Sequence, residues 1–183
     1  MVFLIIFLVA LLIGFVVAAG ISIFLKNPLV VGANGFFISN ADGEGELSNL
    51  GLAFRSNYKQ IVLGMFLKGA FIFLWSLLLI VPGIIKAYEY RMIPYILADN
   101  PEIKQRDAFE LSKKMMYGNK WRAFVLDLSF IGWQFLNLIT IGILGIFYVN
   151  PFKMQTDANL YLALKGDAAG KETVVYDNYV EML

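Results

Sequence analysis

Residues Phe73 to Arg91 read FLWSLLLIVPGIIKAYEYR, and the way this stretch breaks decides the fold. Up to Val81 it is uninterrupted apolar sequence of helical composition. Pro82 cannot continue a helix hydrogen-bond ladder and Gly83 tolerates a turn. Beyond them the apolar residues resume but carry Lys86, Glu89 and Arg91. The pattern predicts a helix, a tight turn at Pro82-Gly83, and a second helix running back toward Pro94.

The same order recurs downstream. Asn57-Tyr58-Lys59 opens the helix that contains Trp75, and Asn119-Lys120-Trp121 opens another that contains Trp133 and stops at Ile141-Gly142-Ile143 before restarting toward Asn150-Pro151. Near the start of the chain, Phe24-Leu25-Lys26-Asn27-Pro28 matches Phe147-Tyr148-Val149-Asn150-Pro151. Repetition of this kind is a sign of membrane folds assembled from internal copies.

The solvent for such helices is lipid. Three apolar stretches, Met1 to Leu25, Ile61 to Ile85 and Ala123 to Val149, each exceed the roughly 20 residues that a helix needs to cross a bilayer. Hydrophobic residues make up 59% of the 183, and only 16% are charged, too few to solvate a water-soluble domain of this size. Met1 to Leu25 has no basic leader and outlasts a signal-peptide core, which reads as a retained helix.

The expected fold is therefore all-α: a polytopic transmembrane helical bundle of repeated hairpins over residues 1–164. Its spans fall at about 2–25, 60–81, 83–98, 121–138 and 143–163, followed by a polar tail at 165–183. Hairpins return the chain to one face, and charge agrees. Arg55, Lys59, Lys104, Arg106, Lys113, Lys114, Lys120, Arg122, Lys165 and Lys171 lie in the connections, and the turns carry none, which puts the connections in the cytoplasm. Three simple spans would instead split the cations between both sides and leave 83–98 and 143–163 at the interface. Residues 101–117 are expected to form an amphipathic helix on the cytoplasmic membrane surface. Asn100 would cap it, Pro101 occupies its first position, Ala108, Leu111 and Met115 face inward, and Lys104, Arg106, Lys113 and Lys114 face headgroups. Glu46 to Arg55 is a weaker equivalent.

The chain has no His and no Cys. Imidazole and thiolate metal sites, disulfides and Ser-His or Cys-His nucleophiles are thereby removed, and no phosphate-binding Gly-rich loop or hydrolase motif is present. No enzymatic activity, cofactor or metal is expected. A net charge of +1 with interleaved acids argues against nucleic acid. Membrane lipids are the expected partners, with a second copy or another membrane protein beside them. The candidate site is the set of ionisable residues inside the apolar segments: Lys68, Lys86, Glu89, Arg91, Asp127, Lys153 and Asp157. Such residues mark pathways or pair with one another, and Lys68 with Asp127 is an opposite-sign pair on two helices. Their bland alternative is snorkelling of Lys86 and Arg91 with structural pairing of Asp127. Trp75, Trp121, Trp133, Tyr88, Tyr90 and Tyr148 read as interfacial belt or packing residues rather than as a stacking platform.

The strings Phe73 to Leu78 with Val81 to Tyr88, Tyr95 to Pro101, Met115 to Arg122 and Leu128 to Trp133 together resemble an uncharacterised bacterial integral membrane family, domain of unknown function 975. The middle portion is more distantly similar to the membrane domain beside some glycerophosphodiester phosphodiesterases. The resemblance implies a multi-pass protein of the bacterial cytoplasmic membrane concerned with membrane or lipid homeostasis as scaffold or carrier. A small transport component, or an enzyme on lipid headgroups with Asp127 or Glu89 as base, are the alternatives. It also implies a basic helix and a further span ahead of Met1, completing a first hairpin.

Overall fold

A computed structural model describes residues 2–41, 43, 45, 47–55, 57–140 and 142–168, with the side chains of 167 and 168 excepted. Among these residues the structure is helical throughout and contains no strand. Glu46, Ile141, Lys171 and the tail beyond 168 lie outside them.

Helix α1 (Val2–Ile21) passes through a π-helical turn, Ser22–Lys26, into α2 (Asn27–Ala41) as one 40-residue helix. The expected end near Leu25 is thus overrun by sixteen residues. Pro28 explains the π turn: its ring excludes the carbonyl of Phe24 four residues back. The ladder accordingly slips to a five-residue bond from the Asn27 N–H to the Ser22 carbonyl. The freed Phe24 carbonyl accepts from Tyr58 Oη at 2.6 Å. Gly145–Val149, just before Asn150-Pro151, makes the same π turn, and the Asn150 N–H reaches the Gly145 carbonyl. Ahead of Pro94 the distortion goes further. Helix α5 (Ile80–Glu89) stops, Tyr90 to Met92 form a turn, and α6 (Ile93–Asp99) follows. The single helix expected over 83–98 is two.

A short 3₁₀ turn (Leu47–Gly51) and α3 (Leu52–Arg55) lead into α4 (Tyr58–Leu78). The first hairpin then breaks earlier than expected, at Leu79, whose φ of −160° and ψ of 143° are extended. Pro82 sits inside the first turn of α5, where a missing N–H costs nothing. Gly83 does not make the turn; it lets α5 lie against α4, since a Cβ there would stand 2.7 Å from Ser76 Cα. The second hairpin joins α8 (Lys120–Ser129) and α9 (Ile131–Ile139) to α10 (Asn150–Ala168). Gly142 does make its turn, at φ +86°. Gly145 takes the role of Gly83, donating its N–H to Asn137 Oδ1 at 2.7 Å.

The surface segment differs in two respects. Helix α7 (Gln105–Met116) starts at Gln105, with Lys104 at its N-cap, rather than at Pro101, because the Asn100 side chain turns back to accept from the Glu102 N–H at 3.2 Å. Gly118, at φ +78°, lies in the turn that follows it. Its apolar side is covered by protein: Ala108, Phe109, Met115 and Met116 are buried in the core, and Phe109 meets Phe71 and Tyr90 edge-on. Lys165, the expected start of the polar tail, lies on α10.

No residue of α1 is buried, and burial divides the rest of the molecule into a base and two tips. Every residue from Ile93 to Ala98 is buried, packed with Val31, Ile61, Met116, Tyr161 and Leu164. At the far ends of the hairpins Leu77, Leu78, Ile80, Leu138 and Ile139 are each more than 70% exposed. Apolar surface left uncovered in this way marks an interface with a membrane or with another protein.

Candidate functional site: an ion-pair network across the hairpins

The turn that Pro94 forces at Tyr90–Met92 lifts Arg91 out of the helical course of α5 and α6 into the gap between the hairpins. There its guanidinium holds both carboxyl oxygens of Asp127 on α8, at 2.8 and 3.0 Å, and reaches Asp157 on α10 at 2.6 Å. Lys153, one turn before Asp157, closes the ring with 2.6 Å to Asp127 and 3.4 Å to Asp157. Tyr88 Oη donates to Asp127 at 2.9 Å. Only 12% of the Arg91 side chain and 15% of that of Asp157 meets solvent. The planar fork of Arg can serve two carboxylates at once, which a Lys cannot. Four of the candidate residues thus form one charge-balanced network tying α5–α6, α8 and α10 together.

A second group sits beside it. Glu89 accepts from Lys86 at 3.0 Å and from Lys120 at 3.1 Å, and its main-chain carbonyl accepts from Ser112 of α7 at 2.8 Å. Lys86 also lies 5.3 Å from the Trp75 ring and 5.6 Å from that of Tyr90, so Trp75 and Tyr90 serve as cation–π faces. Lower in the base, Asp99 accepts from Tyr161 at 2.8 Å and Lys165 at 2.7 Å.

Lys68 is placed differently from its expected role. The register of the first hairpin is fixed by Gly64 against Leu97, Phe71 against Tyr90, and Trp75 against Lys86. Those pairs put Lys68 level with residues 91–93. Asp127, whose oxygens are taken by Arg91, Lys153 and Tyr88, is not its partner. Lys68 makes no hydrogen bond or ion pair among the described residues, and the charges that act on it are those of Arg91 and Asp157. Of the surface cations, Arg106 pairs with Glu110 at 3.0 Å on an open face, an interaction worth little. Lys113 stands 5.9 Å from the Tyr90 ring.

Sequence reasoning did not foresee Tyr88, Lys120, Asp99, Tyr161 or Lys165 as partners. The three-residue step from Lys86 to Glu89 and the four-residue step from Lys153 to Asp157 are visible in sequence as helical neighbours. The 36 and 66 residues that separate Arg91 from Asp127 and Asp157 are not. Among the described residues no cluster of acids is suited to hold a metal ion.

Two helices among the described residues, Val2–Ala41 and Tyr58–Leu78, are long and apolar enough to cross a membrane. The chain is thus an all-helical protein with two candidate membrane helices and polar bonds drawn inward between its hairpins. It belongs to the family described as Protein of unknown function (DUF975), whose pattern it matches over residues 1–168. No curated protein and no solved structure matches the chain.

Proposed function

We propose that the protein is an integral membrane protein of the bacterial cytoplasmic membrane, a non-enzymatic scaffold or carrier in membrane or lipid homeostasis. Its two hairpins enter the bilayer from the face that bears the connections. The repeat of helix, turn and returning helix is supported by the paired π turns before Pro28 and Pro151 and by the Ser76–Gly83 and Asn137–Gly145 contacts. A cytoplasmic base is supported by its cations, among them Lys104, Arg106, Lys113, Lys114 and Lys165, against tips with none.

One observation carries the scaffold reading: Arg91, Asp127, Lys153 and Asp157 spend their bonding capacity on each other. Charges arranged in this way lock helices together. A small transport or export component is the second reading, and the unpaired Lys68 favours it. An enzyme using Asp127 or Glu89 as base is the third, and the cations already on both carboxylates oppose it.

The test uses the full chain in liposomes that carry an NBD-labelled phosphatidylglycerol, bleached from outside with dithionite. A scaffold leaves the inner-leaflet half of the label protected, in wild type and in the triple variant Glu89→Met, Arg91→Met, Asp157→Leu alike. Complete bleaching that the triple variant abolishes would establish lipid transport through the network. Accumulation of an altered headgroup in cells that lack the protein would instead favour the enzyme.

A further inference from the structure

We propose that the two hairpins do not cross the bilayer. Their tips end near its mid-plane, and the ion-pair network lies at the headgroup level of one leaflet. The inference rests on the reading of the chain as a membrane protein and fixes how deep it sits.

Depth follows from rise. From Lys68 to Leu78 there are ten residues, and at 1.5 Å each the ammonium-bearing Cα stands about 15 Å from the tip. Glu89 and Arg91 are ten and twelve residues from Leu79, or about 15 and 18 Å. In the second hairpin Lys153 and Asp127 stand eleven and thirteen residues from Gly142 and Thr140, or about 16 and 20 Å. Half of a hydrocarbon core is also about 15 Å. With tips at the mid-plane, every one of these charges reaches the headgroups.

Full crossing places the same atoms at the worst depth. The network would sit at the centre of the core, and the free Lys68 ammonium with it, where ionised side chains are most expensive. The tips would emerge on the far side as Leu77, Leu78, Leu79, Ile80 and Val81, and as Leu138, Ile139 and Ile143, all largely exposed. Water would meet an apolar surface with no charge to anchor it. In the returning limbs composition agrees with half-depth insertion. Helix α10 carries Lys153, Gln155, Thr156, Asp157 and Asn159 within seven residues, and neither it nor α5–α6 has the length and hydropathy of a crossing helix. Helix α4 has both, and it is Lys68 at its middle that opposes full crossing there. The surface this defines is a pair of apolar wedges, and its partner is the acyl chains of a single leaflet.

The native chain has no cysteine, so single-cysteine variants of the whole protein report cleanly. Val81→Cys and Ile143→Cys mark the tips. Lys68→Cys marks the network level without breaking any bond. Each is labelled with NBD in phosphatidylcholine–phosphatidylglycerol vesicles and quenched by lipids spin-labelled near the headgroup or near the acyl terminus. Half-depth insertion gives a deep-to-shallow quenching ratio above one at both tips and below one at Lys68. The reverse order, tips shallow and Lys68 deep, overturns the proposal and leaves a crossing membrane protein standing. Quenching at none of the three overturns the membrane reading with it.

Discussion

Among the described residues Lys68 is a network-level cation with no acid of its own, and that makes its replacement diagnostic. The ring of Arg91, Lys153, Asp127 and Asp157 balances two positive charges with two negative ones, and Lys68 adds a third positive charge beside it. Asp157→Asn deepens the imbalance and leaves one acceptor oxygen where Arg91 and Lys153 each had their own. The cost should be about 1–3 kcal/mol, less than the roughly 3–5 kcal/mol of a broken buried pair because Asp127 keeps Arg91 and Lys153 in place. Lys68→Met should raise the melting temperature in detergent. Added to Asp157→Asn, it should recover part of the loss, a coupling on the order of 1 kcal/mol. Strict additivity of the two changes would mean that Lys68 does not feel the network. Its presence among the candidates was legible from a charge in an apolar run. Its solitude was not, since that depends on which oxygens of Asp127 other cations had already taken.

At the scale of elements, prolines and glycines set the geometry, and each acts through a neighbour that the sequence does not place beside it. Pro28 frees the Phe24 carbonyl and Tyr58 fills it. Tyr58→Phe should therefore cost about 1 kcal/mol. With Pro28→Ala, which restores the missing N–H, the same change should cost almost nothing in a denaturation cycle. Gly83 and Gly145 sit where a methyl group would collide with Ser76 and Asn137, whereas Gly69 and Gly132 face open space within their helices. Alanine at the first two should lower stability by about 1–3 kcal/mol through overpacking. At the second two it should be neutral or should gain up to about 1 kcal/mol of helix propensity. Equal effects at all four, read from thermal melts, would remove the close-approach argument. Pro82-Gly83 read as a turn because both residues commonly make one. Leu79 carries the break instead, since proline is tolerated in a helix's first turn and glycine here serves contact.

At the scale of the whole molecule, the apolar stretches near residues 1–25 and 61–85 announced the two candidate membrane helices, and their internal punctuation announced breaks near Pro82 and Gly142, both readable from local composition. Depth was not readable, because it depends on where the buried base ends and the exposed tips begin, and that boundary is drawn by contacts such as Gly64 on Leu97 and Tyr95 stacked on Tyr161. The same boundary predicts a pattern of hydrogen exchange. In detergent the base, with α6 enclosed on all sides, opens only with the global transition, while the thinly covered tips at 77–82 and 138–140 fray locally. With the hairpins inserted to half depth, a bilayer would remove water from the tips and change nothing for a base outside the hydrocarbon. On transfer from micelles to lipid discs, amides at the tips should slow by orders of magnitude while those of α6 and α7 keep their rates. Equal slowing of base and tips would place the base in hydrocarbon too, and the ion pairs around Arg91 would then have to be stable without headgroups or water.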